Sequence, residues 1–461
     1  MKYRLEKDIL GELKVPSDVY WGINTQRAIQ NFKISGSTFP EIFIFSLAQL
    51  KKACLFSNTE LKLIDNKVSE AILKAINEIL LEKKYLNQFP IDIFQTGSGT
   101  QTNMNINEVL ANRANELLGF PLGKKEPVHP NDHINKGQSS NDVIPTTMHI
   151  SALYMLTKKL LPSMSKLIEA LIRKINEFND IIKVGRTHLQ DAVPLPLAME
   201  FEVYKKQIET SKKRLENACE ELYEVPIGGT AVGTGLNSHE DFSQLTIKYL
   251  SQITSFPFRI NSVKAEGISS HNAISRVSSD LRLLALSLLK MANDIRWMGS
   301  GPRAGLGELI LPQNETGSSI MPGKINPTQS EALIQVCLKV IGNDYTISLG
   351  EAYGSNLDLN VCKPLMIFSL LESIELLSNS ITSFVDHCLL DLKANIPRIN
   401  SQLENLLMVV TNLTPLLGYE KCSTIAIKAY NENKSIKEVI KEMKIQLDED
   451  LDELLDPKKM V

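Results

Sequence analysis

The stretch from Val263 to Met298, VKAEGISSHNAISRVSSDLRLLALSLLKMANDIRWM, contains no proline and keeps helical periodicity from end to end. As a single helix it would run about 50 Å at 1.5 Å per residue. Its apolar residues Leu281, Leu283, Leu284, Leu286, Leu288, Leu289, Met291 and Ile295 cover more than one narrow face, which implies burial on several sides. A helix of that length needs neighbours. Four more stretches with the same periodicity supply them, near residues 140–176, 196–224, 327–349 and 363–393. The five read as one central bundle, and association of subunits through it would complete the burial.

Outward from this bundle the pattern shortens. Residues 1–138 mix short apolar stretches with turn signals, then show a helical pattern from Asn58 to Leu86 and another opening near Thr100. Residues 139–395 carry the long helices, and residues 396–461 carry smaller ones with a turn near Gly418. The expectation is a mainly α protein of three domains, without internal repeats.

The chain has 461 residues, 43% of them hydrophobic, enough for packed cores. A net charge of −3 and the absence of Lys/Arg-rich runs argue against nucleic acid as a partner. Cys54, Cys219, Cys337, Cys362, Cys388 and Cys422 stand far apart with no Cys-x-x-Cys pair, which suits neither zinc nor an iron–sulfur cluster and reads as reduced thiols. The charged stretch Met1 to Val15 lacks the apolar segment of a targeting sequence, and no uncharged apolar stretch reaches bilayer length. A soluble, cytoplasmic protein without membrane partners is expected.

The runs richest in Ser, Thr, Asn and Gly each precede a helical pattern. The first is Thr96-Gly97-Ser98-Gly99-Thr100-Gln101-Thr102-Asn103-Met104-Asn105. The second is Asn135-Lys136-Gly137-Gln138-Ser139-Ser140-Asn141-Asp142, in which Ser139 and Asp142 have capping-box spacing. The third is Gly317-Ser318-Ser319-Ile320-Met321-Pro322-Gly323-Lys324-Ile325-Asn326-Pro327-Thr328-Gln329, where Asn326 fits the N-cap, Pro327 the first helical position and Gln329 the third. A single cluster of this kind is ordinarily a cap. These hold more polar side chains than capping needs, and a helix N-terminus with its free N–H groups and positive dipole end suits a carboxylate. Three such ends could hold a dicarboxylate.

A fourth segment, Val184-Gly185-Arg186-Thr187-His188-Leu189-Gln190-Asp191-Ala192-Val193-Pro194, offers His188 for acid–base work, given a partner carboxylate. Glu331 is the acidic residue one turn into the helix after Asn326. His129 and His133 have the spacing of a metal pair on a helix, but Pro130 between them argues for a loop. The run Gly228-Gly229-Thr230-Ala231-Val232-Gly233-Thr234-Gly235 lacks the lysine of a phosphate loop and the order of a dinucleotide fingerprint, so it reads as a substrate-facing or tight-packing loop.

The third cluster is similar, without a mismatch, to the G-S-S-x-M-P-x-K-x-N-P signature of the aspartase/fumarase superfamily. The first resembles S-G-T-Q-T-N-M-N-x-N-E, the second H-P-N-D-x-x-N-x-x-Q-S-S-N-D, and the fourth G-R-T-H-L-Q-D-A-V-P. These matches follow the family's order. Others run from Val15-Pro16, Trp21-Gly22 and Thr25-Gln26-Arg27 to Asp456-Pro457-Lys458-Lys459-Met460-Val461, so the likeness covers nearly the whole chain. It resembles the class II fumarases. The aspartate ammonia-lyases of the same fold resemble G-R-T-Q-L-Q-D at the fourth segment, where this chain has His188, and Ser98-Gly99-Thr100-Gln101 is also the fumarase form.

The resemblance implies the three-domain aspartase/fumarase fold, a tetrameric core, and reversible hydration of fumarate to L-malate through an aci-carboxylate, in the tricarboxylic acid cycle. It implies Ser318 as the base, His188 paired with Glu331 for the water, and Lys324 in support. Ser98, Gly99, Thr100, Ser139, Ser140, Asn141, Thr187, Ser319, Lys324, Ile325 and Asn326 would hold the dicarboxylate, in a site shared by three subunits. No metal or other cofactor is implied. A second anion site would be formed by His129, Pro130, Asn131 and Asp132. Gly137 stands where the family commonly has serine, Asp358 where it has Glu, and Glu126 where a basic residue is frequent, which bears on the second site's affinity for anions. A catalytically silent relative, like the lens proteins of this fold, would not need Ser318, Lys324, Asn326, His188 and Glu331 together.

Overall fold

In the computed structural model, which describes residues 2–461, the chain opens with an antiparallel hairpin, β1 (Tyr3–Asp8) and β2 (Gly11–Pro16). The helices α1 (Ile23–Asn31), α2 (Glu41–Glu60), α3 (Asn66–Leu80) and α4 (Thr100–Leu117) follow. The expected single run from Asn58 to Leu86 is divided. The chain turns through Lys62, whose φ is +57°, and α3 starts afresh because the Asp65 carboxylate accepts from the Lys67 N–H as its N-cap. Left-handed residues at Lys83 and Tyr85 separate the end of α3 from Leu86.

The long helices come next. They begin with α5 (Ser140–Met155), which passes through one π turn, Leu156–Leu160, into α6 (Leu161–Phe178). The hairpin β3 (Ile182–Thr187) and β4 (Gln190–Pro196) leads into α7 (Leu197–Leu222). Then come α8 (Phe242–Thr254), α9 (Lys264–Ser269), α10 (Asn272–Met298), α11 (Thr328–Gly354) and α12 (Lys363–Phe384). With its following π turn, α12 reaches 27 residues, long and apolar enough by composition to cross a membrane, yet 56% of its most apolar window is buried inside the protein. That burial is what a core helix shows.

Val263–Met298 is not one helix. It breaks at Ser270, which is extended at φ −138° and ψ 150°. The Glu351 carboxylate accepts from the Ser270 hydroxyl at 2.8 Å and from the His271 N–H at 3.0 Å, so a side chain of α11 takes the place of helix bonds there. What remains, α10, spans about 40 Å. Ile274, Val277, Leu281, Leu284, Leu288, Met291 and Ile295 form its buried stripe, while Leu286 and Trp297 are about half exposed on the single chain at 44% and 50%.

The chain packs into two compact units. One comprises the chain up to Pro162 with Ser211–Leu283 and Leu338–Leu377, and in it α2 lies against α3, α5 and α8 while α3 packs on α4. The other comprises Ser163–Thr210, Leu284–Cys337 and Ser378–Val461. Its last part holds α13 (Ile396–Glu404), α14 (Thr414–Leu417), α15 (Tyr419–Glu432) and α16 (Ile436–Glu442), with the chain turning at Gly418, φ +79°, between α14 and α15. Leu413, Ile425 and Val439 form a buried cluster there, and Val184 of β3 belongs to it.

One core histidine makes folding sensitive to acid. His149 of α5 is buried, and its Nδ1 lies 3.1 Å from the Leu222 carbonyl. A carbonyl only accepts, so Nδ1 carries a proton. Burial lowers its pKa from 6.5 to about 4. The folded state therefore binds fewer protons than the unfolded chain below pH 6.5, and this contribution is complete above that value and lost as the pH falls through about 4. It amounts to about 3 kcal/mol. His149→Gln, which stays neutral, should flatten the fall in thermal stability between neutral pH and pH 4; an unchanged pH profile counts against this source.

Candidate active site

The first and second polar clusters lie in the same unit. Gly99, at φ +73°, precedes α4, but the capping is done from elsewhere: Gln95 Oε1 accepts from the Thr102 N–H at 3.0 Å and its hydroxyl at 2.9 Å. Ser98 and Thr100 are thereby spared capping, and their hydroxyls bond each other at 2.8 Å. The run is pressed against Val361, since a Cβ on Gly97 would come within 1.5 Å of the Val361 carbonyl oxygen. The Gly97 carbonyl also accepts from the Lys363 N–H at 3.1 Å. Only glycine fits there.

At the second cluster the expected capping box is present. The Ser139 hydroxyl accepts from the Asn141 N–H, and the Asp142 carboxylate accepts from the Ser139 N–H at 2.9 Å. The other Asp142 oxygen accepts from the Gly228 and Thr230 N–H groups, both at 2.9 Å. Burial pushes this carboxyl up to about 6, against the pull of those three bonds. The Gly228–Gly235 run is accordingly a packing loop: it binds Asp142, accepts at Ala231 from the Asn141 amide at 2.8 Å, and passes so close to α9 that a Cβ on Gly233 would lie 2.4 Å from the Ala265 nitrogen. Gly137 adopts φ +70°, a left-handed conformation that its glycine accommodates without strain.

Thr187 and His188 lie in the second unit, where His188 and Leu189, at φ +57° and +60°, form the two-residue turn joining β3 to β4. Both ends of that turn are exposed, and His188 makes no hydrogen bond or ion pair among the described residues. Beneath the turn the hairpin is anchored by charge. Glu308, wholly buried, receives Arg186 at 2.6 Å and has Lys183 at 3.4 Å, while Val184 enters the cluster of Leu413 and Val439.

The third cluster is a loop closed on itself in the same unit. The Asn326 side-chain amide donates to the Gly317 carbonyl, and a Cβ on Gly317 would meet the Lys324 carbonyl oxygen at 1.8 Å. The expected capping is displaced by one residue. The first helix bond of α11 runs from the Glu331 N–H to the Pro327 carbonyl at 3.0 Å, so Pro327 sits at the N-cap position and Asn326 precedes it. Gln329 instead accepts from the Ser383 hydroxyl at 2.9 Å. The Ser318 hydroxyl oxygen accepts two backbone N–H groups, from Met321 at 2.9 Å and Ile320 at 3.3 Å. Two amide donors on one oxygen favour negative charge on it. Ser319, Lys324, Ile325 and Glu331 are exposed on the single chain.

His129 to Asp132 correct the expectation of a loop. Pro130–Ile134 is one π-helical turn with His129 as its N-cap, and proline fits because the first N–H of a helix needs no partner. His129 Nδ1 accepts from the Asn131 and Asp132 N–H groups at 3.2 Å each, while His133 Nδ1 accepts from the His129 N–H at 2.9 Å. The Asp132 carboxylate also lies 3.2 Å from His129 Nδ1. The two amide bonds require that nitrogen to be unprotonated, so we read the contact as proximity rather than as an ion pair.

The first two clusters are thus joined in one unit, where Asn103 donates to the Ser140 hydroxyl oxygen. In the other unit no hydrogen bond or ion pair among the described residues links His188 to Glu331 or Ser318 to Lys324. Several polar residues that brace these segments were not singled out from sequence. Glu308 and Glu351 act on residues far away in the chain. Lys51 carried a signal, being a charge at helical spacing from Leu47 and Cys54 on the apolar face of α2. Burial lowers its ammonium to about 7, opposed by Cys54 and Asp142.

Residues 11–342 match a family model described as lyase, and residues 409–461 match one described as fumarase C C-terminus. The fumarate hydratase class II of Nitrosomonas europaea is 46% identical over 459 residues, covering 100% of this chain and 99% of that one. That of Wigglesworthia glossinidia brevipalpis is 48% identical over 458 residues, covering 99% and 98%. The crystal structure of class II fumarase from Schistosoma mansoni aligns at a TM-score of 0.96 with 39% identity, covering 100% of this chain and 99% of that one. Alike in fold from end to end, and aligned with these relatives over nearly its whole length, the chain belongs to the lyase family, within its class II fumarate hydratases.

Proposed function

We propose that the protein catalyses the reversible hydration of fumarate to L-malate, as a hydro-lyase of the tricarboxylic acid cycle. The observation that carries the reading is the Ser318 hydroxyl oxygen, which accepts two backbone N–H groups in a tightly closed loop. Malate dehydration needs a base for a weakly acidic proton beside a carboxylate. A serine becomes that base only where its alkoxide is stabilised, and oriented amides do this. Ser318 takes the proton, leaving an aci-carboxylate with extra negative charge. Lys324, Ser319, Ile325 and Asn326 hold that end of the substrate. Ser98, Gly99, Thr100, Ser139, Ser140, Asn141 and Thr187 fix the carboxylates, and His188, made more basic by Glu331, passes a proton to the departing hydroxyl, releasing water and fumarate.

The exposure of His188, Lys324 and Glu331 on the single chain supports a site completed by other copies. In this reading four copies associate through the long helices, covering Leu286 and Trp297, and each site draws on three of them. Segments 1–138, 139–395 and 396–461 form the three domains. His129, Pro130, Asn131 and Asp132 form the second anion site, with the exposed Glu126 nearby in sequence. A cytoplasmic setting fits six free thiols. Incubating the purified protein with fumarate, with and without ammonium, tests the function. Malate is expected in both cases; aspartate would assign an ammonia-lyase, and no product would remove both.

A further inference from the structure

A buried polar network behind the second cluster has a fixed direction. The Lys51 ammonium, 1% exposed, donates to Asn135 Oδ1 at 3.0 Å and to Gln138 Oε1 at 2.9 Å. Lys51 Nζ carries N–H donors in either protonation state, and Asn135 presents its oxygen to them. The far end of Asn135 agrees, for its Nδ2 donates to the Gln138 carbonyl at 3.1 Å. Asn135 Oδ1 also faces Asn103 Nδ2 at 3.1 Å and Asn107 Nδ2 at 3.2 Å. Each of these neighbours must therefore turn its NH2 inward. The cost is visible: among the described residues, Asn103 Oδ1 and Asn107 Oδ1 are buried without a hydrogen-bond partner.

Asn103 has two N–H groups and spends both, one on Asn135 and the other on the Ser140 hydroxyl oxygen at 3.1 Å. Ser140 is thus an acceptor on its buried side, which leaves its own proton for the outer side. We infer that Lys51, Asn135 and Asn103 are positioning residues that make the Ser140 hydroxyl a hydrogen-bond donor toward a substrate carboxylate. This rests on the reading of Ser140 as a carboxylate contact. A carboxylate accepts only, so a serine turned the other way would lose the bond and oppose a lone pair to the substrate.

Asn103→Asp reverses the direction without removing the ammonium, because a carboxylate beside Ser140 draws the hydroxyl proton inward. The KM for fumarate and for L-malate should rise about 10- to 100-fold, with kcat changed far less. Lys51→Met should move KM the same way, and Asn135→Asp, which keeps the acceptor facing Lys51 and Asn103 and gives up only the Nδ2 bond to the Gln138 carbonyl, should move it far less than Asn103→Asp. In a Ser140→Ala background Asn103→Asp should add nothing to KM, whereas a merely structural role would add its full effect. The inference is overturned if Asn103→Asp leaves KM unchanged, or raises it equally with and without Ser140. An inert wild-type protein would instead overturn the fumarate reading, and this inference with it.

Discussion

Ser318→Ala should lower kcat for fumarate hydration by about 10³-fold or more, the order expected when a general base is removed, while assembly and thermal stability stay as in the wild type. The two effects separate because of where the hydroxyl sits. Its oxygen accepts from the Ile320 and Met321 N–H groups in an exposed loop, and the loop is closed independently by Asn326 on the Gly317 carbonyl. Removing the oxygen leaves two amides that water can satisfy, so the structural cost is small. The proton acceptor has no such substitute. Steady-state kinetics with size-exclusion chromatography and thermal unfolding would check both halves. Turnover near wild type would take the base role away from Ser318.

Glu308→Ala should destabilise the fold by about 3–5 kcal/mol, the usual result of breaking a buried ion pair from one side. Glu308 is wholly buried against Arg186 and Lys183, and Lys183 is itself only 3% exposed in its side chain. Once the carboxylate is gone, Arg186 loses its charged partner beneath the hairpin and Lys183 keeps only Glu200, at 3.5 Å. Activity should fall as well, because this ion pair anchors the strand that ends in Thr187 and leads into the His188 turn. Replacing Glu308 by Leu together with Lys183→Met and Arg186→Met should recover much of the stability, since well-packed apolar groups often match a buried ion pair. Chemical denaturation of the three proteins distinguishes the cases. A Glu308→Ala protein within about 0.5 kcal/mol of the wild type, the range of ordinary surface substitutions, would mean that the pair anchors nothing.

What could be read from the residues was what is local. The capping box of Ser139 and Asp142 is set by two side chains three positions apart, and it stands as expected. The mainly α architecture with its long helices followed from apolar periodicity. What could not be read depends on partners distant in the chain. The break at Ser270 is made by Glu351, and nothing in VKAEGISSHNAIS announces that carboxylate. The capping of α4 by Gln95 rather than by Ser98 or Thr100 required the fold of the intervening turn. Asn326 was misplaced by one position because a proline at the N-cap is less common than asparagine, and the asparagine was needed to close the loop. His188 and Glu331 stand out by residue type, while the base role proposed for Ser318 and the pairing proposed for the other two come through resemblance, since periodicity says nothing of which side chains meet.

The packing of Val184 with Leu413, Val439 and Leu455 sets an order in time. A chain leaving the ribosome exposes β3 and β4 long before the segment that supports them has been made. The histidine turn therefore cannot settle until the last part of the chain has been synthesised. A prematurely terminated product could build the unit around α2 to α5, yet would carry an unsupported hairpin and remain inactive. Completion of the polypeptide is thereby coupled to completion of its chemistry, for an unfinished copy carries an unsupported His188.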